Sequence, residues 1–153
     1  MEDEPPVFGA LRLPHDPRAV RVARMTVRAA LDGHGMQDTV DVVELLTSEL
    51  VTNAYLHTKG PASLRLTGLS DGRLRVGVWD SDPYVPAPFS GSGVESVPLA
   101  PPDAETGRGL RLVREHADSW GGWAFGDGTS GRGAGKLLWF EVGRRAILPQ
   151  LRK

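Results

Sequence analysis

Apolar residues recur with two different periods along the chain, and each period predicts a different kind of element. In the first third they return every three or four residues, which is the spacing of a helix that buries one face. Two helices are predicted there, from about Arg18 to Leu31 and from about Asp38 to His57. Gly60 and Pro61 end the second helix, because proline cannot continue helical hydrogen bonding.

Further along the chain, apolar and polar residues alternate, as they do in strands with one buried side. The segments Ala62–Leu69 and Leu74–Trp79 alternate in this way, and the turn residues between them predict a hairpin. The same criteria predict an edge strand at Val7–Leu13 and a third helix that begins at Gly109. They also predict two final strands, at Trp120–Phe125 and Leu137–Val142. This order separates the helices from a mostly antiparallel mixed sheet, so we expect an α+β fold, a two-layer sandwich with helices on one face.

Periodicity disappears between residues 81 and 106. Six of the chain's twelve prolines fall in this segment: Pro83, Pro86, Pro88, Pro98, Pro101 and Pro102. Proline lacks the N–H that a strand or helix interior needs, so neither element is expected here. A loop of this length in a compact domain is usually a lid over a site or a disordered linker.

Composition narrows the class of protein. The 153 residues fit one domain, 1–153, with residues 144–153 as a short basic tail. A formal net charge of -1 gives no general attraction to nucleic acid or to an anionic membrane, so neither is an expected partner. The absence of cysteine excludes disulfides and thiolate catalysis, and the four histidines are too scattered to predict a metal site. No run of 18 apolar residues occurs and the first residues are acidic, so a cytoplasmic protein is expected.

A polar stripe on the second predicted helix is the first candidate for chemistry. Glu49, Asn53 and His57 are four residues apart and therefore share one helix face. The stripe borders an apolar one, formed by Val43, Leu46, Leu50 and Ala54. Glutamate can act as a general base, and an amide oxygen can coordinate Mg²⁺ without adding negative charge beside a phosphate. The alternative is an ordinary solvated helix face.

Glycines at the third helix form the second candidate. Gly107, Arg108 and Gly109 open this helix, where free backbone N–H groups could approach a phosphate. A plain helix start after a loop is the alternative.

Asp80 ends a predicted strand, where its carboxylate could accept a hydrogen bond from an exocyclic amine or simply begin a turn.

Residues 131–137 are superficially similar to a phosphate-binding P-loop. Ser130 and Leu137 replace the required glycine and Ser or Thr, and a strand follows instead of a helix. We therefore interpret this segment as a hairpin loop.

Together these segments resemble the histidine-kinase-like ATPase superfamily (the GHKL or Bergerat fold), and within it the anti-sigma-factor serine kinases. ELVTNAYLH at residues 49–57 resembles the family's N box, and VGVWDSD at 76–82 stands where its first glycine box lies. TGRGLRLV at 106–113 resembles the second glycine box, and GKLLWFEV at 135–142 the closing strand. The resemblance covers most of the chain.

The resemblance implies a role for each candidate on the second helix. Asn53 would hold the Mg²⁺ that bridges the ATP phosphates, and Glu49 would act as base on an incoming hydroxyl or water. His57 would either touch the nucleotide site or cap the helix end, where the dipole favours an imidazolium.

The resemblance also implies how ATP would be held. Asp80 would bind the adenine amine. Backbone at Gly107 and Gly109, with the Arg108 side chain, would meet the phosphates, while residues 81–106 would close as the ATP lid.

The implied partners are a serine of a STAS-type anti-sigma-factor antagonist as phosphoryl acceptor, and a sigma factor bound by a homodimer.

The family's first glycine box usually reads Asp, any residue, Gly, any residue, Gly, whereas Asp80 is followed here by Ser81, Asp82, Pro83 and Tyr84. Two functions therefore stay open: a serine/threonine kinase that regulates transcription by partner switching, and a non-catalytic ATPase-fold module that sequesters a sigma factor or another regulator. A sensor histidine kinase fragment is less well supported, because no helix with a phosphoacceptor histidine is predicted.

Overall fold

A computed structural model describes residues 7–33, 35–69, 71–86, 89, 105–126 and 134–143 of the chain. Its elements, in chain order, are β1 (Val7–Leu13), α1 (Ala19–Gly33), a 3-10 turn (Gln37–Thr39), α2 (Val40–His57), β2 (Ala62–Gly68), β3 (Leu74–Asp80), α3 (Glu105–His116), β4 (Ser119–Phe125) and β5 (Gly135–Val142). The predicted order of strands and helices is confirmed.

The five strands form one sheet in the order β1-β2-β3-β5-β4, and every described pairing is antiparallel. Hairpin β2–β3 was predicted from alternation, and it forms with Leu64 opposite Val78. Pairing of β3 with β5 joins distant parts of the chain and puts Asp80 opposite Lys136. The α+β fold class is therefore confirmed.

One side of the sheet packs against the helices. On β2, β3 and β5 the buried apolar side chains occupy even-numbered positions: Ala62, Leu64, Leu66, Leu74, Val76, Val78, Leu138, Phe140 and Val142. Helix α2 contacts α1, α3, β2 and β3, and its predicted apolar stripe is fully buried. Burial of these apolar faces is the main favourable contribution to the fold.

Two boundaries differ from the predictions. Helix α3 begins at Glu105, whereas its apolar periodicity predicted a start at Gly109. Residues 105–109 contain no apolar residue, so a pattern of buried positions cannot reveal this first turn. Strand β5 begins at Gly135, two residues before the start at Leu137 that alternation predicted, and it matches the segment 135–142 that resembles the family's closing strand.

Within the described ranges, no helix is long and apolar enough to cross a membrane.

Candidate functional site

The polar stripe of α2 is graded in burial. Glu49 is half-buried, Asn53 is buried with 4% of its surface exposed, and His57 on the last turn is exposed. A solvated helix face would leave all three side chains in water. The burial of the central residue therefore favours a site over an ordinary surface stripe.

Asn53 has the features of a cation ligand. Its side-chain oxygen Oδ1 is buried, and no described residue donates a hydrogen bond to it. A buried polar oxygen without a partner loses about 1–3 kcal/mol of solvation, so in a native protein it is expected to meet an ordered water or a bound ion. An amide oxygen is a ligand that Mg²⁺ accepts.

The donor set fits Mg²⁺ bound together with a phosphate ligand. Among the described residues no group of three or more His, Asp or Glu side chains could hold a metal by itself. Mg²⁺ in nucleotide sites is usually held by one or two protein oxygens, water and substrate phosphates, so one amide oxygen is compatible with it.

Glu49 lies one turn before Asn53. Burial raises the pKa of its carboxyl group, because desolvation disfavours the charged form. A carboxylate with a raised pKa is a stronger base near neutral pH than an exposed one.

The end of α2 is stabilised by residues other than His57. The N–H of Thr58 donates to the carbonyl of Ala54 at 3.1 Å. The ring of His15 stacks on Tyr55, with ring centroids 4.4 Å apart, and its Nε2 donates to the Tyr55 carbonyl at 3.0 Å. Neither role of His57, contact with the nucleotide or interaction with the helix dipole, is tested by these contacts, and both stay predictions.

Asp80 is engaged by a lysine that the sequence did not reveal as a site residue. The Lys136 ammonium donates to Asp80 Oδ1 at 3.0 Å and to Oδ2 at 2.9 Å. The two side chains are 1% and 2% exposed. They form a buried ion pair on the helix-facing side of the sheet, where β3 ends and β5 begins.

The chain that leaves β3 is shaped by its aspartates. The backbone N–H of Asp82 donates to Asp80 Oδ1 at 2.9 Å, and that of Tyr84 donates to Asp82 Oδ1 at 3.1 Å. These are local side-chain to backbone turns, for which aspartate is suited. Gly135 allows close approach, since a Cβ there would lie 2.3 Å from the Asp80 carbonyl oxygen.

Lys136 had one signal in the sequence. Lys136, Leu138, Phe140 and Val142 are two residues apart, so in a strand their side chains lie on the same face of the sheet. Since the three apolar residues face the core, Lys136 is expected to face it too. A buried lysine requires a counter-charge. The sequence does not identify Asp80 as that counter-charge, because only the pairing of β3 with β5 brings the two residues together.

The end of α2 and the end of β3 lie together. A Cβ placed on Gly60, just after α2, would lie 3.2 Å from Ser81 Oγ, just after β3. The N box helix and Asp80 therefore approach the same end of the sheet.

The second glycine segment falls inside α3. Gly107 and Arg108 are the third and fourth residues of this helix, and the first four N–H groups of a helix have no intrahelical acceptor. Gly109 is the fifth residue, so its N–H is not one of these four. The side chain of Arg108 lies outside the described residues, so its phosphate contact stays a prediction.

Most of the predicted lid, residues 81–106, also lies outside the described residues, as does the tail 144–153. Phe89 is described, and it is buried. A Cβ on Gly122 of β4 would lie 2.9 Å from the Cβ of Phe89 and 2.7 Å from Val85 Cγ1. The first part of this segment therefore packs closely on β4.

Sequence comparison matches residues 13–130 to the family described as the histidine kinase-like ATPase domain. An uncharacterized protein of Streptomyces coelicolor is 45% identical over 62 residues, which is 40% of this chain and 51% of that protein. The match thus spans about half the length of that relative.

Structure comparison finds a similar fold in a chain from the crystal structure of the SiaB–SiaC complex of Pseudomonas aeruginosa. The TM-score is 0.63, the sequence identity is 10%, and the match covers 89% of each chain. At this identity the likeness concerns the fold alone.

Proposed function

The chain belongs to the histidine kinase-like ATPase domain family, and from this membership we propose an ATP- and Mg²⁺-dependent serine/threonine protein kinase that regulates transcription by partner switching. The observation that carries the proposal is Asn53, a buried amide whose oxygen has no partner among the described residues, one turn from a half-buried glutamate with a raised pKa. This pair supplies a cation ligand and a base on one helix face.

Each residue has one task in the proposed reaction. Glu49 accepts the proton of the acceptor hydroxyl, and Asn53 holds the Mg²⁺, with His57 beside the nucleotide at the end of the helix. Asn53 would hold a bound Mg²⁺ through its Oδ1, and the metal would supply charge neutralisation at the phosphates. Backbone at Gly107, with the Arg108 side chain, orients the phosphates at the start of α3, and Gly109, which has no side chain, lets them approach the helix.

The proposed acceptor is a serine of a STAS-type anti-sigma-factor antagonist, and the alternative partner is a sigma factor bound by a homodimer in the cytoplasm. A fold shared with a chain solved in a two-protein complex, that of SiaB with SiaC, supports a function that includes protein binding.

The test is phosphoryl transfer from ATP labelled at the γ-phosphate to candidate antagonists, with Mg²⁺ present. We expect label on an antagonist serine, and a loss of about 100-fold or more in Glu49→Gln, because general bases contribute about 10²–10⁴-fold. Glu44→Gln is the matched control on the same helix, since Glu44 pairs with Arg28 at 3.0 Å. Transfer that survives unchanged in Glu49→Gln would refute the assigned base.

A second function has an observation in its favour. The carboxylate expected to bind adenine is held by Lys136, and the glycines that would follow it are absent. A non-catalytic module that sequesters a sigma factor or another regulator fits these departures. It requires partner affinity to be indifferent to nucleotide, so a tenfold change in that affinity upon adding ATP would exclude it.

A further inference from the structure

The three donors of the Lys136 ammonium all have acceptors within the chain. Two point to the Asp80 carboxylate oxygens, at 3.0 and 2.9 Å, and the third to the Asp82 carbonyl oxygen at 3.3 Å. An ammonium has three N–H groups, so none remains for a ligand while this arrangement holds.

The Asp80 carboxylate is correspondingly occupied. Its Oδ1 accepts from both Lys136 and the Asp82 N–H, and its Oδ2 accepts from Lys136. The charge that would attract an exocyclic amine is balanced by a cation at hydrogen-bond distance. Hydrogen bonds to an ionised acceptor are strong because of that charge, so balancing it weakens the contact with an amine.

Lys136 is held in this arrangement by its surroundings. It lies opposite Asp80 in the antiparallel register, and only 1% of its side chain is exposed. A ligand that displaced it from Asp80 would leave a buried ammonium with only the Asp82 carboxylate, 3.9 Å away, as counter-charge, which is unfavourable. The ion pair is therefore a fixed part of this end of the sheet.

Adenine and guanine differ at the atom that this carboxylate would contact. Adenine presents an amine, which is a donor, whereas guanine presents a carbonyl oxygen, which is an acceptor. A free carboxylate would favour adenine and repel guanine. A carboxylate neutralised by an ammonium does neither.

We propose that Lys136 is a specificity-determining residue that cancels the reading of the base by Asp80, so that the site takes purine nucleoside triphosphates through their phosphates with little preference for adenine. This inference rests on the proposed nucleotide function of the α2 stripe. It deepens that function by naming the substrate class as Mg²⁺ complexes of either ATP or GTP.

The test is calorimetric titration of the whole protein with Mg·ATP and with Mg·GTP. For the wild type we expect dissociation constants within about threefold of each other. For Lys136→Met we expect ATP to bind at least about tenfold more tightly than GTP, since hydrogen bonds to charged groups contribute about 1.5–3 kcal/mol. Lys59→Met, at an exposed lysine, is the matched control and should keep the wild-type ratio.

The wild-type ratio decides the inference without any variant. A preference for ATP of tenfold or more in the wild type would overturn the role of Lys136 and leave the proposed nucleotide function intact. A Lys136→Met protein that binds both nucleotides as equally as the wild type would also overturn it. Absence of binding of either nucleotide to both proteins would overturn the proposed function together with the inference.

Discussion

Two buried carboxylates stand at opposite ends of the β3–β5 strand pair, and they are satisfied in different ways. Asp80 lies on the helix-facing side and pairs with Lys136, which is 1% exposed. Glu141 lies at the other end, where it pairs with Arg73 at 2.7 Å. Arg75 also pairs with Glu141, through its Nε at 2.7 Å, and Ser119 Oγ donates at 3.0 Å.

The partners of Glu141 reach water, whereas the partner of Asp80 does not. The side chains of Arg73 and Arg75 are 37% and 48% exposed. Among the described residues, Glu141 therefore has several hydrogen-bond donors, and its ion pairs are screened by solvent. Asp80 has one cation bonded to its carboxylate, and that cation is shielded from water. Glu141 can lose one partner and keep others, which suits a structural role. Asp80 cannot, so within the described part of the chain Lys136 alone determines whether this carboxylate is paired.

The largest expected effect is from Lys136→Met. Removing the ammonium leaves Asp80 charged and buried, which should lower the free energy of unfolding by about 3–5 kcal/mol. Urea unfolding at neutral pH measures it. A loss below about 1 kcal/mol would mean that Asp80 finds water or another donor, and the contrast with Glu141 would fail.

The double variant Asp80→Asn with Lys136→Met sharpens the comparison. Both charges are then absent, so we expect a smaller loss of stability than in Lys136→Met alone, with a coupling of about 1–3 kcal/mol between the two sites. A double-mutant cycle in urea measures the coupling. Strict additivity of the two single variants would contradict a direct ion pair.

At the other end, Arg73→Ala should lower the free energy of unfolding much less than Lys136→Met does, since Arg75 and Ser119 continue to satisfy Glu141. The same substitution in an Arg75→Ala background should cost more than in the wild type, because Glu141 then loses its last arginine. Equal costs in the two backgrounds would show that the arginines act independently. Rising salt should weaken these pairs more than the buried pair.

The smallest effect concerns Glu49, whose pKa is raised by burial. The folded state then binds a proton over a pH range in which the unfolded state has lost it, so stability falls as pH rises from about 4.3 to the folded value. We expect Glu49→Gln to be more stable than the wild type at pH 7.5, by less than about 1 kcal/mol because the group is half-exposed, and no more stable at pH 4. Denaturant unfolding at the two pH values checks this. A gain that is the same at both values would point to a cause other than ionisation.

The parts of the fold that were predictable are those where burial follows a simple period. The alternation of Leu64 and Leu66 with polar residues marks β2, and the apolar stripe of α2 marks its buried face. The start of α3 could not be found in this way, since residues 105–109 bury no apolar side chain that a period could detect.

The site was predictable in part for a related reason. The spacing of Glu49 and Asn53 is local, so one helix brings them together. The pair of Asp80 with Lys136 joins residues 56 positions apart, and it exists only because β3 and β5 are neighbours in the sheet. Lys136 follows a segment rich in glycine, so the sequence does not show that its side chain is buried beside Asp80 until that pairing is known.

The most direct test of the account is calorimetric titration of the wild type and Asn53→Ala with ATP and Mg²⁺. We expect binding to the wild type and at least about tenfold weaker binding to the variant, as expected for loss of a ligand to a charged group. The variant should keep its stability, because the oxygen that it removes has no partner among the described residues. Equal affinity in the two proteins, or no heat in the wild type at several temperatures, would contradict a nucleotide site on α2.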